Sequence, residues 1–357
     1  MTDTTDTTDT TTDADTTDTT DTADTDAIRP TMQAVVQRRY GSADTLDIEQ
    51  IPVPSVDADQ VLIEVVAAGL DRGVSHLMTG TPYLIRLAGF GVLAPKNPVL
   101  GMDVAGRVVA VGSAVDEFDI GDEVMGIAAG SFAEYAVADA SKIVHKPAEL
   151  TFEQAAVSTI SGITALQAVT EVGGVEAGQR VLVIGASGGV GSFAVQITTS
   201  LGASVTGVAS TSKLEFVRSL GADDVIDYTT TDVTDLHERF DLIVDTGGRA
   251  PLRKLRRILT ERGTYVIVGA ETGGRFTGGI GRNLRAVVLS MFVRQRLAFF
   301  ISSESRTYID PLVGLLAAGD VVPAIGRRAA LAETADAIRS IEAGSGSGKT
   351  AITVRPS

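Results

Sequence analysis

Residues 180–191 read Arg180-Val181-Leu182-Val183-Ile184-Gly185-Ala186-Ser187-Gly188-Gly189-Val190-Gly191, and the reading of this stretch decides the fold. Four consecutive apolar residues, Val181 to Ile184, predict a strand buried on both faces. A glycine-rich turn follows, and Ser192 to Leu201 places apolar residues at helical spacing. The unit is strand, turn, helix. Glycine belongs at such a turn because a side chain would keep a diphosphate from the backbone N–H groups and hold the helix away from its strand. The helix N-terminus then presents its partial positive charge to the phosphates. Gly185, Ser187, Gly188, Gly189, Val190 and Gly191 are therefore candidate dinucleotide-binding residues.

The residues downstream continue the pattern. Ser204 to Ala209 reads as a second strand and Ser212 to Gly221 as a helix with a glycine stop. Asp224 to Tyr228, Phe240 to Asp245 and Thr264 to Gly269 read as further strands. Strands alternating with helices imply parallel βαβ units in a doubly wound sheet. The end of the second strand bears on the cofactor. An NAD site usually places an Asp or Glu there to hold the ribose 2′-hydroxyl. Here the residues are Val208-Ala209-Ser210-Thr211-Ser212-Lys213, with no carboxylate to repel a 2′-phosphate. The hydroxyls of Ser210 and Thr211 and the ammonium of Lys213 suit that phosphate, so NADPH is expected over NADH. The same residues also fit a helix N-cap followed by a solvated lysine.

The chain of 357 residues suffices for one large or two ordinary domains, and 44% hydrophobic content with 5% aromatics is that of a soluble globular protein. No apolar run is long enough to span a bilayer. Ala286 to Ile301 is the most apolar late segment; interrupted by Arg294 and Arg296, it reads as a core strand followed by an interface element. Residues 1–26 are almost entirely Thr, Asp and Ala and carry nine Asp, so they have nothing to bury and are expected to be disordered. They contain no Arg and no basic start with an apolar centre, which argues against organelle and secretory leaders and for a cytoplasmic protein. Without those nine Asp the formal charge of −15 becomes −6, and nucleic acid is not an expected partner. The absence of cysteine removes disulfides, thiolate nucleophiles and sulfur-ligated zinc together. His76, His145 and His237 lie far apart, without metal-ligand spacing.

Before the nucleotide unit, short strands at Gln33 to Gln37, Gln60 to Ala67, Ala105 to Val111 and Phe132 to Val137 alternate with turns rich in Gly, Pro and Asp, which suggests a barrel. A series of motifs now falls in order: Ala34-Val35-Val36 with Tyr40-Gly41, Val61 to Val65, Gly101-Met102-Asp103-Val104-Ala105-Gly106, Gly121-Asp122-Glu123-Val124, Gly130 to Tyr135 and Ala186 to Gly191. Over residues 31–355 the chain thereby resembles the medium-chain dehydrogenase/reductase superfamily, and within it the zinc-independent quinone oxidoreductase and enone reductase branch. The resemblance implies an α/β protein with a GroES-like β-barrel catalytic domain and a doubly wound parallel-sheet (Rossmann) cofactor domain. The implied divisions are a tail at 1–30, a catalytic domain at 31–157, the NADPH-binding domain at 158–301, and a C-terminal segment at 302–357 that completes the barrel with a strand from Thr350 to Val354.

Zinc-dependent members place a Cys in the loop matching Gly69-Leu70-Asp71-Arg72 and a His-Glu pair where this chain has Met102-Asp103. Met102 is no substitute for a nitrogen ligand to zinc, so no metal is expected. The matching chemistry is hydride transfer to an acceptor that is already electrophilic, a quinone or an α,β-unsaturated carbonyl compound. In the family the nicotinamide lies near the helix matching Ser161 to Ala165, and its amide meets the backbone matching Val268-Gly269-Ala270. Tyr228 matches an adenosine-side residue, and Gly247, in Asp245-Thr246-Gly247-Gly248, would let the backbone approach the dinucleotide.

Candidates for polar work at the acceptor are Asp71, Tyr83 and Thr164. Asp71 is an acid for an enolate if burial raises its pKa, or else a turn residue. Tyr83 lies in a loop, Thr81 to Lys96, that either covers the acceptor or fills the barrel mouth. Gly348-Lys349, before the last strand, reads as a solvated turn. A homodimer is expected from a strand near Ala286 to Met291, where relatives pair sheet edges. Two other functions stay open, an NADP-linked alcohol dehydrogenase without zinc and a non-catalytic NADPH-binding redox sensor or scaffold.

Overall fold

The computed structural model describes residues 28–248, 250–268 and 280–356. The Thr/Asp-rich residues 1–26 and the candidates Gly269 and Ala270 lie outside the described residues. In chain order the strands are β1 (Thr31–Gln37), β2 (Leu46–Pro52), β3 (Gln60–Leu70), β4 (Asp103–Val111), β5 (Glu123–Ile127), β6 (Tyr135–Asp139), β7 (Ile143–His145), β8 (Arg180–Ile184), β9 (Ser204–Ala209), β10 (Asp224–Asp227), β11 (Phe240–Asp245), β12 (Leu259–Ile267), β13 (Arg296–Phe299), β14 (Ile325–Ala330) and β15 (Lys349–Thr353). The α-helices are α1 (Arg72–Thr79), α2 (Phe152–Ala156), α3 (Thr159–Gln167), α4 (Gly189–Ser200), α5 (Leu214–Ser219), α6 (Leu252–Leu255), α7 (Ile280–Ser290), α8 (Arg306–Ala318) and α9 (Thr334–Glu342).

Six parallel strands form one sheet in the order β10-β9-β8-β11-β12-β13. Val181 to Val183, Leu242 to Val244 and Tyr265 to Ile267 are all buried, because layers cover the sheet on both faces. On one face Phe193, Val195 and Ile197 of α4 pack with Ile163 of α3 and Leu312 of α8. On the other, Phe240, Tyr265 and Leu297 enclose Ala286 of α7. The strand order reverses between β8 and β11, which opens a crevice beyond their C-terminal ends, where open α/β sheets bind ligands.

Seven other strands form a curved, mostly antiparallel barrel, and β1 and β2 pair in a separate two-stranded sheet. Its sheet runs β14-β15-β3-β4-β5-β7, with β6 on β3, and Val61, Ile63, Val65, Met78 and Phe132 fill its interior. Strand β15 reaches β3 from the far end of the chain and sets Thr350 opposite Leu70. The α2–α3 segment joins barrel to sheet. Its Phe152, Ala155 and Ile163 belong to the core that holds Ala67, Met125 and Val183. A GroES-like barrel beside a doubly wound sheet is the architecture expected from the sequence.

The region after β12 departs from expectation. The strand expected near Ala286 to Met291 is helix α7, and the sheet continues at β13, after the arginine-interrupted turn. Leu284, Val287, Val288 and Met291 stand three and four residues apart, a helical period that the density of apolar residues obscures.

Candidate functional site

The glycine turn lies at the crevice. Gly185 ends β8 with φ of +81°, and a Cβ added there would stand 2.3 Å from the Thr246 hydroxyl. Gly191 packs α4 onto the turn, since a Cβ would come 2.1 Å from the Gly185 carbonyl oxygen. Gly188 is exposed at the α4 N-cap and has no side chain to cap the first N–H groups of α4. Ser187 is buried, its carbonyl held by Gly348 N–H at 2.8 Å, and Val190 is half-buried. This turn fits a dinucleotide diphosphate.

Across the crevice, Asp245 is fully buried and shapes its own loop. Its Oδ1 accepts from Gly247 and Gly248 N–H at 3.1 and 2.8 Å, and its Oδ2 accepts from Tyr265 Oη at 2.6 Å and Arg282 Nη2 at 3.0 Å. Burial, then the Asp245 charge, pushes the Tyr265 phenol far above its ordinary value, so it stays a donor. Val268, half-buried, donates its N–H to Asp245 O at 3.0 Å.

At the end of β9, Ser210 precedes a short turn and makes no side-chain cap; its carbonyl accepts from Lys213 N–H at 2.8 Å. Lys213 Nζ donates to the carbonyls of Gly344 and Gly346, at 2.8 and 2.6 Å, and so ties down the Gly/Ser segment before β15. Burial lowers its pKa. The expectation that no carboxylate stands here needs correction. Parallel pairing sets Asp227 of β10 beside Ala209, and its carboxylate accepts from the hydroxyls of Thr211 and Thr229. Residues 208–213, read alone, could not reveal a charge supplied by the next strand. Tyr228 is 56% exposed and its N–H donates to Ala209 O at 3.1 Å, which leaves the ring free of the core.

Of the three candidates at the acceptor, Asp71 alone joins a polar cluster. It ends β3 at the N-cap of α1 without capping it, and faces Lys349 at the start of β15. Lys349 is not the solvated residue expected from the sequence. It is 2% exposed, because antiparallel pairing of β15 with β3 carries it inward under the glycine turn. Its Nζ donates to Asp71 Oδ1, to Ser161 Oγ at 3.0 Å and to Asp103 Oδ2 at 3.4 Å. Ser161 donates to Asp71 Oδ1 at 2.8 Å, and Ile160 N–H to Asp103 Oδ1 at 2.8 Å. Burial pushes both carboxyls up. At Asp71 it is outweighed by Lys349 and by hydrogen bonds from Asp103, Lys349 and Ser161, so this group lies below its ordinary value. At Asp103 the Asp71 charge adds to burial and the group lies well above. Burial also lowers Lys349, yet the two carboxyls more than restore it.

Tyr83 and Thr164 are not drawn into this cluster. Thr164 donates its hydroxyl to Ile160 O at 2.7 Å within α3. The Tyr83 ring lies 4.7 Å from the Arg86 guanidinium carbon, which also covers Tyr40 at 4.2 Å, so the start of the Thr81 to Lys96 loop is a stacked wall. Beyond it lies a cavity of about 520 Å³ lined by Phe90, Leu100, Met102 and Ile127, with Lys96 and Asp139 at polar positions. None of Asp71, Tyr83 and Thr164 lines it, whereas Met102 is one residue from Asp103 along the chain.

These residues do not fit zinc. Met102 faces the cavity, the lysine ammonium stands between the two carboxylates, and no group of three or more His, Cys, Asp or Glu among the described residues could hold a metal ion. No described helix is long and apolar enough to cross a membrane. Lys349 and Ser161 gave no local signal in the sequence. Asp103 did, as a carboxylate opening a mostly apolar strand whose only other charge is Arg107.

The chain is similar to known proteins over most of its length. Residues 57–148 match the family model described as alcohol dehydrogenase GroES-like domain, and residues 220–352 the one described as zinc-binding dehydrogenase. A 2-methylene-furan-3-one reductase of Solanum lycopersicum is 38% identical over 267 residues, 70% of this chain and 66% of that enzyme. The mitochondrial NAD(P)H oxidoreductase RTN4IP1 of Mus musculus is 32% identical over 92% of this chain and 91% of its own length. The quinone oxidoreductase of Coxiella burnetii superposes with a TM-score of 0.80 at 27% identity, over 91% of this chain and 100% of that one. On the motifs, both domain matches and these relatives, the chain belongs to the medium-chain dehydrogenase/reductase superfamily.

Proposed function

We propose that this oxidoreductase transfers hydride from NADPH to a quinone or an α,β-unsaturated carbonyl compound, without zinc. The observation that carries the reading is the Asp71–Lys349–Ser161 cluster, in which an ammonium is bonded to Asp71, in the loop where the resemblance puts a zinc ligand of metal-dependent members. The names of the relatives, a furanone reductase and a quinone oxidoreductase, support the acceptor class. Residues 31–157 and 302–357 would form the catalytic domain and 158–301 the cofactor domain. The compartment would be the cytoplasm, and the assembly a homodimer.

Gly185, Ser187, Gly188, Gly189, Val190 and Gly191 would hold the diphosphate; Gly247, Val268 and Gly269 would line the path towards the nicotinamide. Ser210, Thr211 and Lys213 would meet the 2′-phosphate, with Tyr228 against the adenosine. The reduced nicotinamide, when bound, supplies hydride. The largely apolar lining of the cavity beside Met102 suits a flat, uncharged acceptor. As hydride arrives, negative charge grows on the acceptor oxygen, and hydroxyl donors lower its cost. Tyr83 and Thr164 would be those donors. Asp71 leads to the buried cluster.

The test is NADPH oxidation followed by absorbance against a panel of quinones and enones, with excess chelator and with NADH in parallel. Turnover that survives chelation and favours NADPH is expected. Loss on chelation overturns the metal-free chemistry, and preference for NADH overturns the phosphate site. Tight NADPH binding without turnover of any acceptor would mark a sensor. Replacing Lys213 with Ala should raise the NADPH KM roughly tenfold and leave NADH unmoved, the scale of one charge-assisted contact.

A further inference from the structure

Reduction of an activated alkene needs a proton as well as a hydride, and the buried cluster contains more acid than its contacts require. Two carboxyls, Asp71 and Asp103, share one ammonium, Lys349, in a largely buried site. Both carboxyls ionised would leave a net buried negative charge, whereas one proton between them leaves the cluster neutral. Asp71, with its side chain 14% exposed, is its outlet; Asp103 is fully buried and Lys349 almost so. Lys349 packs against the cofactor turn, where a Cβ on Gly189 would meet its Cδ at 3.0 Å, and Met102, next to Asp103, opens onto the cavity. The quartet thus adjoins the cofactor turn through Lys349 and the cavity only through Met102, the chain neighbour of Asp103; a proton leaving Asp71, which does not line the cavity, would cross to the acceptor through a bridging water.

We propose that Asp103, Lys349, Asp71 and Ser161 together hold one transferable proton, which leaves through Asp71 to complete the reduction. This inference rests on the function proposed above. Hydride from the dihydronicotinamide forms a bond to the β-carbon of the enone. The alkene π pair moves to the α-carbon and oxygen, and the cofactor is oxidised as the alkene is reduced. The resulting enolate takes the stored proton, forming an α-C–H bond and leaving both carboxyls ionised beside Lys349. Solvent then reloads the cluster. Asp103 and Lys349 act through Asp71, and are positioning residues.

The charged groups that face Asp103 are Asp71 from the end of β3 and Lys349 from β15. From α3 it meets only the Ile160 N–H, with the Ser161 hydroxyl nearby on Lys349 and Asp71. Neighbouring charges are engaged elsewhere, Glu153 of α2 with Arg328 and Glu123 of β5 with Arg107 and Lys146.

The experiment combines infrared spectroscopy of the full-length protein without cofactor and the pH profile of kcat at saturating NADPH. A protonated-carboxyl band is expected in the wild type at neutral pH and absent in both Asp103→Asn and Asp71→Asn, each of which leaves a single carboxylate paired with the Lys349 ammonium. Asp103→Asn should lower kcat about 10²-fold, the low end of general acid catalysis, and remove the alkaline limb of the profile. NADPH affinity should stay unchanged. Lys349→Arg should restore most of the activity lost in Lys349→Met, with the alkaline limb of Lys349→Met moved to higher pH. The inference is overturned by a wild-type spectrum without that band, or by an Asp103→Asn profile that superposes on the wild type. If the band behaves as expected but no acceptor turns over, the stored proton stands and the proposed function fails.

Discussion

Asp227 illustrates how a single charge placed by a neighbouring strand bears on cofactor choice. Its carboxylate, held below its ordinary value by the Thr211 hydroxyl and then by Thr229, borders the turn where a 2′-phosphate is proposed. Asp227→Asn should therefore lower the NADPH KM roughly three- to fivefold, the scale of an exposed charge interaction, and the gain should shrink at high salt. KM measured at two ionic strengths checks this; an unchanged value would mean that the phosphate lies elsewhere. At Gly185, φ of +81° and the nearby Thr246 hydroxyl leave no room for a Cβ, so Gly185→Ala should cost about 1–3 kcal/mol of stability, read by denaturant unfolding. Asp103 links the cluster to stability. Its raised folded pKa means that its contribution is full below the ordinary carboxylate range and is lost as pH rises through the folded value. The wild-type melting temperature should fall across that window, and Asp103→Asn should lack this component of the fall. The glycine turn was legible because its chemistry is local. The partners of Lys349, Asp71 and Asp227 were not, because strand register far along the chain brings them together.

Whole elements were legible where one period dominated. Strands β8, β9 and β11 stood out as short apolar runs between turns, and the residues that follow them build the crevice. Helix α7 did not, since its apolar residues and the strand after it merge into one hydrophobic segment read at the wrong period. What fixes α7 is an ion pair. Arg282 reaches from it to the buried Asp245 and also donates to the Ala250 carbonyl at 3.0 Å and to Tyr265 Oη. The Asp245 carboxylate in turn shapes the Gly247–Gly248 loop at the crevice. Removing the arginine would leave a fully buried charge with its phenol and amide donors but no cation. Arg282→Leu should destabilise the protein by about 3–5 kcal/mol in denaturant unfolding. A matched drop in NADPH affinity is expected, because the same carboxylate holds the loop. The conservative Arg282→Lys should recover part of the stability, and little of the loop geometry, since one ammonium cannot reproduce the planar fork.

At the scale of the molecule, the six-stranded sheet ends at β13, whose outer edge has no strand partner among the described residues. Open edges flanked by apolar surface are sites of pairing unless they are blocked. Beside this edge Leu284, Met291, Phe292 and Ile301 are exposed, from 61% to 89%, and Val288 and Phe299 more than a third exposed. This concentration is unlike the rest of the described sheet surface, and it continues the edge rather than the crevice. A two-fold dimer would bury the same patch on both copies and extend the sheet across the axis, leaving each cofactor turn open. The sequence pointed to this region through its apolar density, although it assigned the pairing to residues that form α7. The expected outcome is a dimer by light scattering coupled to size exclusion, and a monomer for Phe292→Glu combined with Ile301→Glu. Because neither side chain belongs to the buried core, the double variant should keep its far-ultraviolet circular dichroism and its NADPH affinity while losing the partner. A wild type that elutes as a monomer across micromolar concentrations would show instead that the exposed edge is tolerated in the single chain.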